Sequence, residues 1–156
     1  MSTYVPVTEL PKLVGKRFAI AVADWNSHIT HRLAGSAASV IATQGLECDT
    51  YHVPGAIELT FAASQLIESS MYDAIIVIGC VIRGGTPHFD YVCQSVTQGV
   101  TALNADCDVP VIFGVLTVDN EQDALDRCGG RCGDKGAEAA ETAIRMAAFT
   151  AMVKDM

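Results

Sequence analysis

The sequence predicts an α/β fold, a flavodoxin-like three-layer sandwich built on a doubly wound, four-stranded parallel sheet. Two patterns carry this expectation. Short apolar, β-branched runs alternate with segments of helical periodicity along nearly the whole chain. One run, DAIIVIGCVI at 73–82, is apolar at almost every position, as a strand covered by helices on both faces must be. Parallel neighbours need a crossover element, and strict alternation with short loops implies right-handed crossovers.

The first strand is expected at 17–24 (RFAIAVAD), followed by Asn26 and Ser27 as capping residues for a helix in which Leu33, Ala37, Val40 and Ile41 recur at helical spacing until Gly45. Residues 47–53 read as the second strand, closed by Pro54 and Gly55, and 57–70 as the second helix. The apolar run 73–82 is the central strand. After a loop at 83–88 come a helix over 87–103, a fourth strand over 109–118 (VPVIFGVLTV), and two closing helices over 121–128 and 137–152. Residues 17–156 therefore form one domain. The first sixteen, with Pro6, Pro11 and Gly15 and no periodicity, form an extended arm. The arm is either a disordered tail or, through Tyr4, Val5 and Val7, a strand added to a neighbouring subunit's sheet.

Composition narrows the partners. Half of the residues are hydrophobic and 18% are charged, more apolar surface than a lone chain of this size needs to bury, so self-association is expected. Eighteen acids against ten bases, a net charge of -8, disfavour nucleic acid and anionic membrane surfaces, so a phosphate would need a local basic site. No run approaches the roughly 20 apolar residues that span a bilayer, and the start MSTYVPVTELPK lacks the features of a targeting segment, so a cytoplasmic location is expected. The six cysteines are scattered. The only close pair, Cys128 and Cys132, has neither zinc-knuckle spacing nor completing ligands, so no metal site is expected.

Ligands of open parallel sheets bind beyond the carboxyl ends of the strands, which directs attention to the loops there. The loop Arg83-Gly84-Gly85-Thr86-Pro87-His88 is the most informative. Thr86 and Pro87 suit a cap and first helical residue, and the glycines let bare backbone amides approach an anion at a helix N-terminus. Taken alone, such a loop is equally an ordinary tight turn. His88 in the first helical turn adds a group that exchanges protons near neutrality. Arg127, Arg131 and Lys135 place three of the ten basic residues within nine positions, either as a solvated helix end or as a cationic turn facing a phosphate. Trp25, the only tryptophan, directly follows a strand, where it serves as a stacking platform or a lid over the core. Glu58 is placed to accept hydrogen bonds from a polyol or amine, or simply to favour a helix N-terminus. Phe113, within a strand, reads as core.

These motifs, VPGAIE at 53–58, YDAI at 72–75, VIRGGTPHFDYV at 81–92, PVIFGVLT at 110–117 and GDKGAEAA at 133–140, closely resemble the lumazine synthase family over nearly the whole chain. The resemblance implies condensation of a ribitylamino-uracil diamine with a dihydroxybutanone phosphate in the penultimate step of riboflavin biosynthesis, with neither metal nor redox cofactor. It implies that Trp25 and Asn26, with Ala56, Ile57 and Glu58 and the backbone of Cys80, Val81 and Ile82, hold the pyrimidine and ribityl chain. Gly85, Thr86 and Arg127 match phosphate contacts, His88 the proton-transfer residue, and Phe113, Lys135 and Glu138 further pocket positions. It also implies a homopentamer whose sites lie between adjacent subunits, a 60-subunit icosahedral shell, and riboflavin synthase as a partner. The sequence departs from the family's usual residues at Asp24, Trp25, Arg131 and Asp134.

Overall fold

The computed structural model describes residues 9–156. At its centre is β3, Ala74–Ile82, whose first seven residues are all buried, as its uniform hydrophobicity requires. It pairs in parallel with β1, Arg17–Ala23, on one side and β4, Val111–Val118, on the other, while β2, Glu47–Val53, forms the far edge beside β1. The strand order is thus β2-β1-β3-β4, the expected doubly wound sheet.

The helices divide between its two faces. Alternate residues of a strand point to opposite sides, and β1 sends Phe18, Ile20 and Val22 to one core, Ala19, Ala21 and Ala23 to the other. The large residues meet α1, Ser27–Thr43, and α5, Lys135–Lys154. The alanine face meets α2, Leu59–Glu68, and α3, His88–Asp106, where Leu59, Val92, Val96 and Val100 fill the space the alanines leave. A single 3-10 turn, Ala56–Glu58, leads into α2.

The structure departs from the sequence reading in three places. The helix expected over 121–128 stops as α4, Glu121–Leu125. The chain then folds into a small antiparallel hairpin of β5, Cys128–Gly130, and β6, Gly133–Asp134. Gly129 and Gly133, at φ 97° and 85°, turn the backbone where a helix would need negative values. Second, Asn26 precedes α1 in the left-handed region, at φ 62° and ψ 43°, and does not cap it; its side chain is used elsewhere. Third, Pro87 itself occupies the position before α3, and Thr86 Oγ1 accepts from His88 N only at 3.4 Å. Residues 9–16 form neither helix nor strand, although Leu10 and Leu13 pack on the core beneath α1 and α5; Tyr4, Val5 and Val7 lie outside the described residues. No helix among the described residues is long and apolar enough to cross a membrane.

The contact between α1 and α5 depends on Gly136, whose Cβ, if present, would lie 2.1 Å from the Leu33 carbonyl oxygen. Gly35, in α1, meets nothing within 4 Å. Gly136→Ala should therefore lower stability by about 1–3 kcal/mol through overpacking, whereas Gly35→Ala should raise it by roughly 0.5–1 kcal/mol. Denaturant midpoints at unchanged slope measure both.

Candidate active site

β1 and β3 stay paired only as far as Val22 and Ile78, whereas β3 and β4 remain in register to Ile82 and Val118. Beyond Ile78 the edge of β3 that faced β1 is open. Connections from β1 and β3 leave in opposite directions across the sheet, so a crevice forms at this point. A cleft of ≈ 330 Å³ occupies it.

Asn26 fills part of the open edge. Its Nδ2 donates to the Cys80 carbonyl at 2.9 Å, and the left-handed backbone that aims it there is one that asparagine tolerates better than most residues. Trp25, 68% exposed, lines this cleft and is not a lid over the core. Its amide donates to the Pro54 carbonyl at 2.9 Å, and its ring lies over Gly55, where an added Cβ would come within 2.4 Å of Cε3. The 3-10 turn supplies the second wall with Ala56, Ile57 and Glu58. Glu58 Oε2 accepts from the Gly55 amide at 3.0 Å, so one carboxylate both fixes the turn and lines the cleft. The floor is Cys80, Val81 and Ile82. Burial, with smaller contributions from Cys128 and Glu121, pushes the Cys80 thiol up to about 11, which leaves it protonated and a poor nucleophile at neutral pH.

His88 lines the same cleft, exposed in the first turn of α3. Val92, which the sequence reading passed over, joins it; the spacing of four residues on one helix is the signal that pairs them. Ahead of His88, a Cβ built on Gly84 or Gly85 meets no atom within 4 Å, and neither residue has a positive φ. The chain's own packing therefore does not require glycine at either position. Their effect is to leave main-chain amides uncovered beside the imidazole. Arg83 is committed elsewhere. Its Nε donates to Asp119 Oδ1 at 2.8 Å, Nη1 lies 3.5 Å from Asp90, and the guanidinium sits 4.3 Å from the Phe89 ring centroid. It braces the glycine loop against the end of β4.

Gly85 and Thr86 do not line the cleft, and the other expected residues lie in a separate hollow of ≈ 530 Å³ along the edge strand β4, with which the cleft shares no lining residue. It contains Phe113, Arg127, Lys135 and Glu138, together with Ala139 and Thr142, which the sequence did not flag. Phe113 is 42% exposed there, which corrects the reading of it as core. It belongs to an edge strand that has no partner on its outer side among the described residues. Lys135 Nζ pairs with Glu138 at 2.8 Å, and Arg127 Nη1 donates to the Asp123 carbonyl at 2.8 Å. Arg131 faces away from this role and pairs with Asp126 at 2.8 Å.

The buried Asp126 carboxylate organises this basic turn. It accepts from Gln122 Nε2 and Arg131 Nε, both at 2.8 Å, while its carbonyl accepts from the Cys132 amide. Those hydrogen bonds, Gln122's first and then Arg131's, hold its carboxyl below the ordinary aspartate value.

The family described as 6,7-dimethyl-8-ribityllumazine synthase matches residues 15–151. Proteins of that name resemble the chain closely over most of their length. The one from Parabacteroides distasonis is 49% identical over 145 residues, 91% of each chain. That from Porphyromonas gingivalis is 53% identical over 134 residues, 84% of this chain and 83% of its own. The Micrococcus luteus protein is 52% identical over 132 residues, 83% and 82% of the two chains.

Gly55→Ala should displace the indole from the cleft rim, and because Trp25 is the sole tryptophan, a shift in its fluorescence emission reports this directly. A second outcome concerns acid stability. Because the folded-state value of Asp126 is depressed, its stabilisation is complete above the ordinary aspartate value and is lost as pH falls through the lowered one. Asp126→Asn should give a shallower loss of stability on acidification than the unaltered protein, measured by chemical denaturation at a series of pH values.

Proposed function

The chain belongs to the 6,7-dimethyl-8-ribityllumazine synthase family, and we infer that it is the enzyme of that condensation step in riboflavin biosynthesis, a transferase working with two half-sites drawn from adjacent copies of itself. The substrates are 5-amino-6-(D-ribitylamino)uracil and 3,4-dihydroxy-2-butanone 4-phosphate. The products are 6,7-dimethyl-8-ribityllumazine and phosphate.

The observation that carries the reading is the division of the chemistry. An aromatic ring, a capped acidic turn, an open strand edge and an imidazole converge in one cleft, whereas the Arg127 guanidinium and the Lys135–Glu138 pair sit in another. A planar pyrimidine stacks on Trp25, a geometry suited to its exposed ring. Its polar edge and the ribityl hydroxyls find acceptors and donors at Glu58, at Asn26 and along the backbone from Cys80 to Ile82. The phosphate of the second substrate lies against the uncovered amides of Gly85 and Thr86 at the α3 N-terminus, where the helix dipole favours an anion. Arg127 of a neighbouring copy completes the charge balance in a protein of net charge -8. Phe113, Lys135 and Glu138 reach in with it and close the cleft.

The amine of the diamine adds to the ketone and expels water to form an imine. Phosphate then leaves by elimination, and the ribityl-bearing nitrogen closes the ring with loss of a second water. Each step moves protons and none changes the overall oxidation level. His88 stands between the platform and the anion site, where one imidazole serves successive transfers. We extend the reading to a cytoplasmic homopentamer, with the exposed Phe113 edge strand covered by the next subunit. Twelve such pentamers would form a shell, which the short hairpin of β5 and β6 does not obstruct, and riboflavin synthase is the partner that consumes the product.

Mixing the two substrates with the protein and following lumazine absorbance and fluorescence tests the activity; product binding without turnover would favour a lumazine-binding protein instead. His88→Ala should slow turnover on the order of 10²-fold or more with product affinity retained. Arg127→Ala should raise the KM of the phosphate substrate roughly tenfold or more. Co-assembling the two variants should restore activity above either alone, because some neighbouring pairs then contain an intact cleft facing an intact Arg127; no recovery in mixed oligomers would place both residues in a site within one chain.

A further inference from the structure

Outside the cleft, three side chains from separate parts of the fold converge. Asp24 directly follows β1, His31 lies in the second turn of α1, and His52 is the penultimate residue of β2. His31 Nε2 and His52 Nδ1 each lie 2.8 Å from the same oxygen, Asp24 Oδ1. The two rings meet edge to face with centroids 5.1 Å apart. All three side chains are about half exposed, and their potential donor atoms fall within 4.8 Å of one another. We propose that Asp24, His31 and His52 form a binding site for a divalent transition-metal ion of the zinc class, separate from the substrate cleft.

The donor set selects the class of ion. Two imidazole nitrogens and one carboxylate oxygen suit zinc, cobalt, nickel or copper, whereas calcium and magnesium require oxygen-rich shells. A tetrahedral ion at about 2.1 Å from its ligands holds them about 3.4 Å apart. The nitrogens need to part from Oδ1 by only about half an ångström to admit it, a small rotation for half-exposed side chains. The backbone beneath them is fixed: Val22 pairs with His52 across the β1–β2 ladder, and the Asp24 amide donates to the Val53 carbonyl at 2.8 Å. The site therefore rests on rigid elements with only side-chain torsions to adjust. A fourth position remains for water.

The placement gives such an ion a mechanical consequence. Asp24 immediately precedes Trp25, and His52 lies two residues before Pro54, whose carbonyl accepts from the Trp25 amide. An ion bound here joins α1, β1 and β2 at the foot of the two loops that carry the indole and the Gly55 turn. It stabilises the folded chain by mass action and stiffens the platform without touching substrate.

Zinc chloride titrated into the EDTA-treated, full-length oligomer in phosphate-free buffer tests the site by calorimetry. Saturable binding of one ion per chain is expected, with a rise in thermal midpoint and a change in Trp25 emission. All three should disappear in His31→Ala/His52→Ala and persist in Cys132→Ser. Cobalt provides a reading independent of any variant: the adduct should show visible ligand-field absorption without a thiolate charge-transfer band. Absence of saturable zinc binding, survival of binding in the double-histidine variant, or a thiolate band would each overturn the proposal.

Discussion

The site depends on two parallel strands ending at different heights. β1 stops at Ala23 while β3 runs to Ile82, still paired with β4, so the main chain beyond Ile78 has lost one neighbour. A buried strand edge cannot stay unpaired without cost. Asn26 supplies a donor to one carbonyl of that edge, and the rest is presented to the cleft. The same mismatch in length separates the loops after β1 and β3, which makes room for Trp25 on one side and His88 on the other. The fold creates a hydrogen-bonding surface of defined shape before any catalytic side chain is considered.

Much of this was legible in the sequence because period and composition are local properties. The strands and long helices fall within a few residues of their expected bounds, and the loop 83–88 announces a helix N-terminus with its glycines, threonine and proline. Phe113 was not legible in the same way. A phenylalanine in an apolar strand looks like core, and only the position of β4 at the sheet's edge exposes it. The hairpin of β5 and β6 escaped notice because its strands of three and two residues carry no measurable alternation. Asn26 suggested a cap by its type, but its partner lies fifty-four residues away. Nor could the sequence bring Asp24, His31 and His52 together, which the parallel pairing of β1 with β2 and the packing of α1 on both strands do.

Electrostatics distinguishes the cations around the two hollows. Arg83, beside the glycine loop, is held by Asp119, Asp90 and the Phe89 ring, and the Asp119 hydrogen bond raises its pKa further. It is a brace, not a mobile phosphate ligand. Arg131 is likewise bound to the buried Asp126. Of the cations near either hollow, Arg127 keeps the guanidinium with the least carboxylate competition, because the hydrogen bond from its Nη1 goes to a neutral main-chain carbonyl, that of Asp123. Its charge can be given to a substrate without first breaking an ion pair, and a charge-assisted bond to phosphate then gains more than it displaces.

Trp25 is held in place although its ring is largely exposed. An indole exposed over two-thirds of its surface has little packing to hold it. Its orientation comes from its backbone instead: the Trp25 amide is tied to Pro54, the preceding Asp24 amide to Val53, and the following Asn26 side chain to Cys80. Gly55 then permits the ring to lie directly on the turn, and Glu58 closes that turn by accepting from the Gly55 amide. Hydrogen bonds on both sides of one residue do the work that burial does in a core, and they leave the ring's outer face free. Burying the indole would fix it equally well, but at the cost of the exposed face it offers.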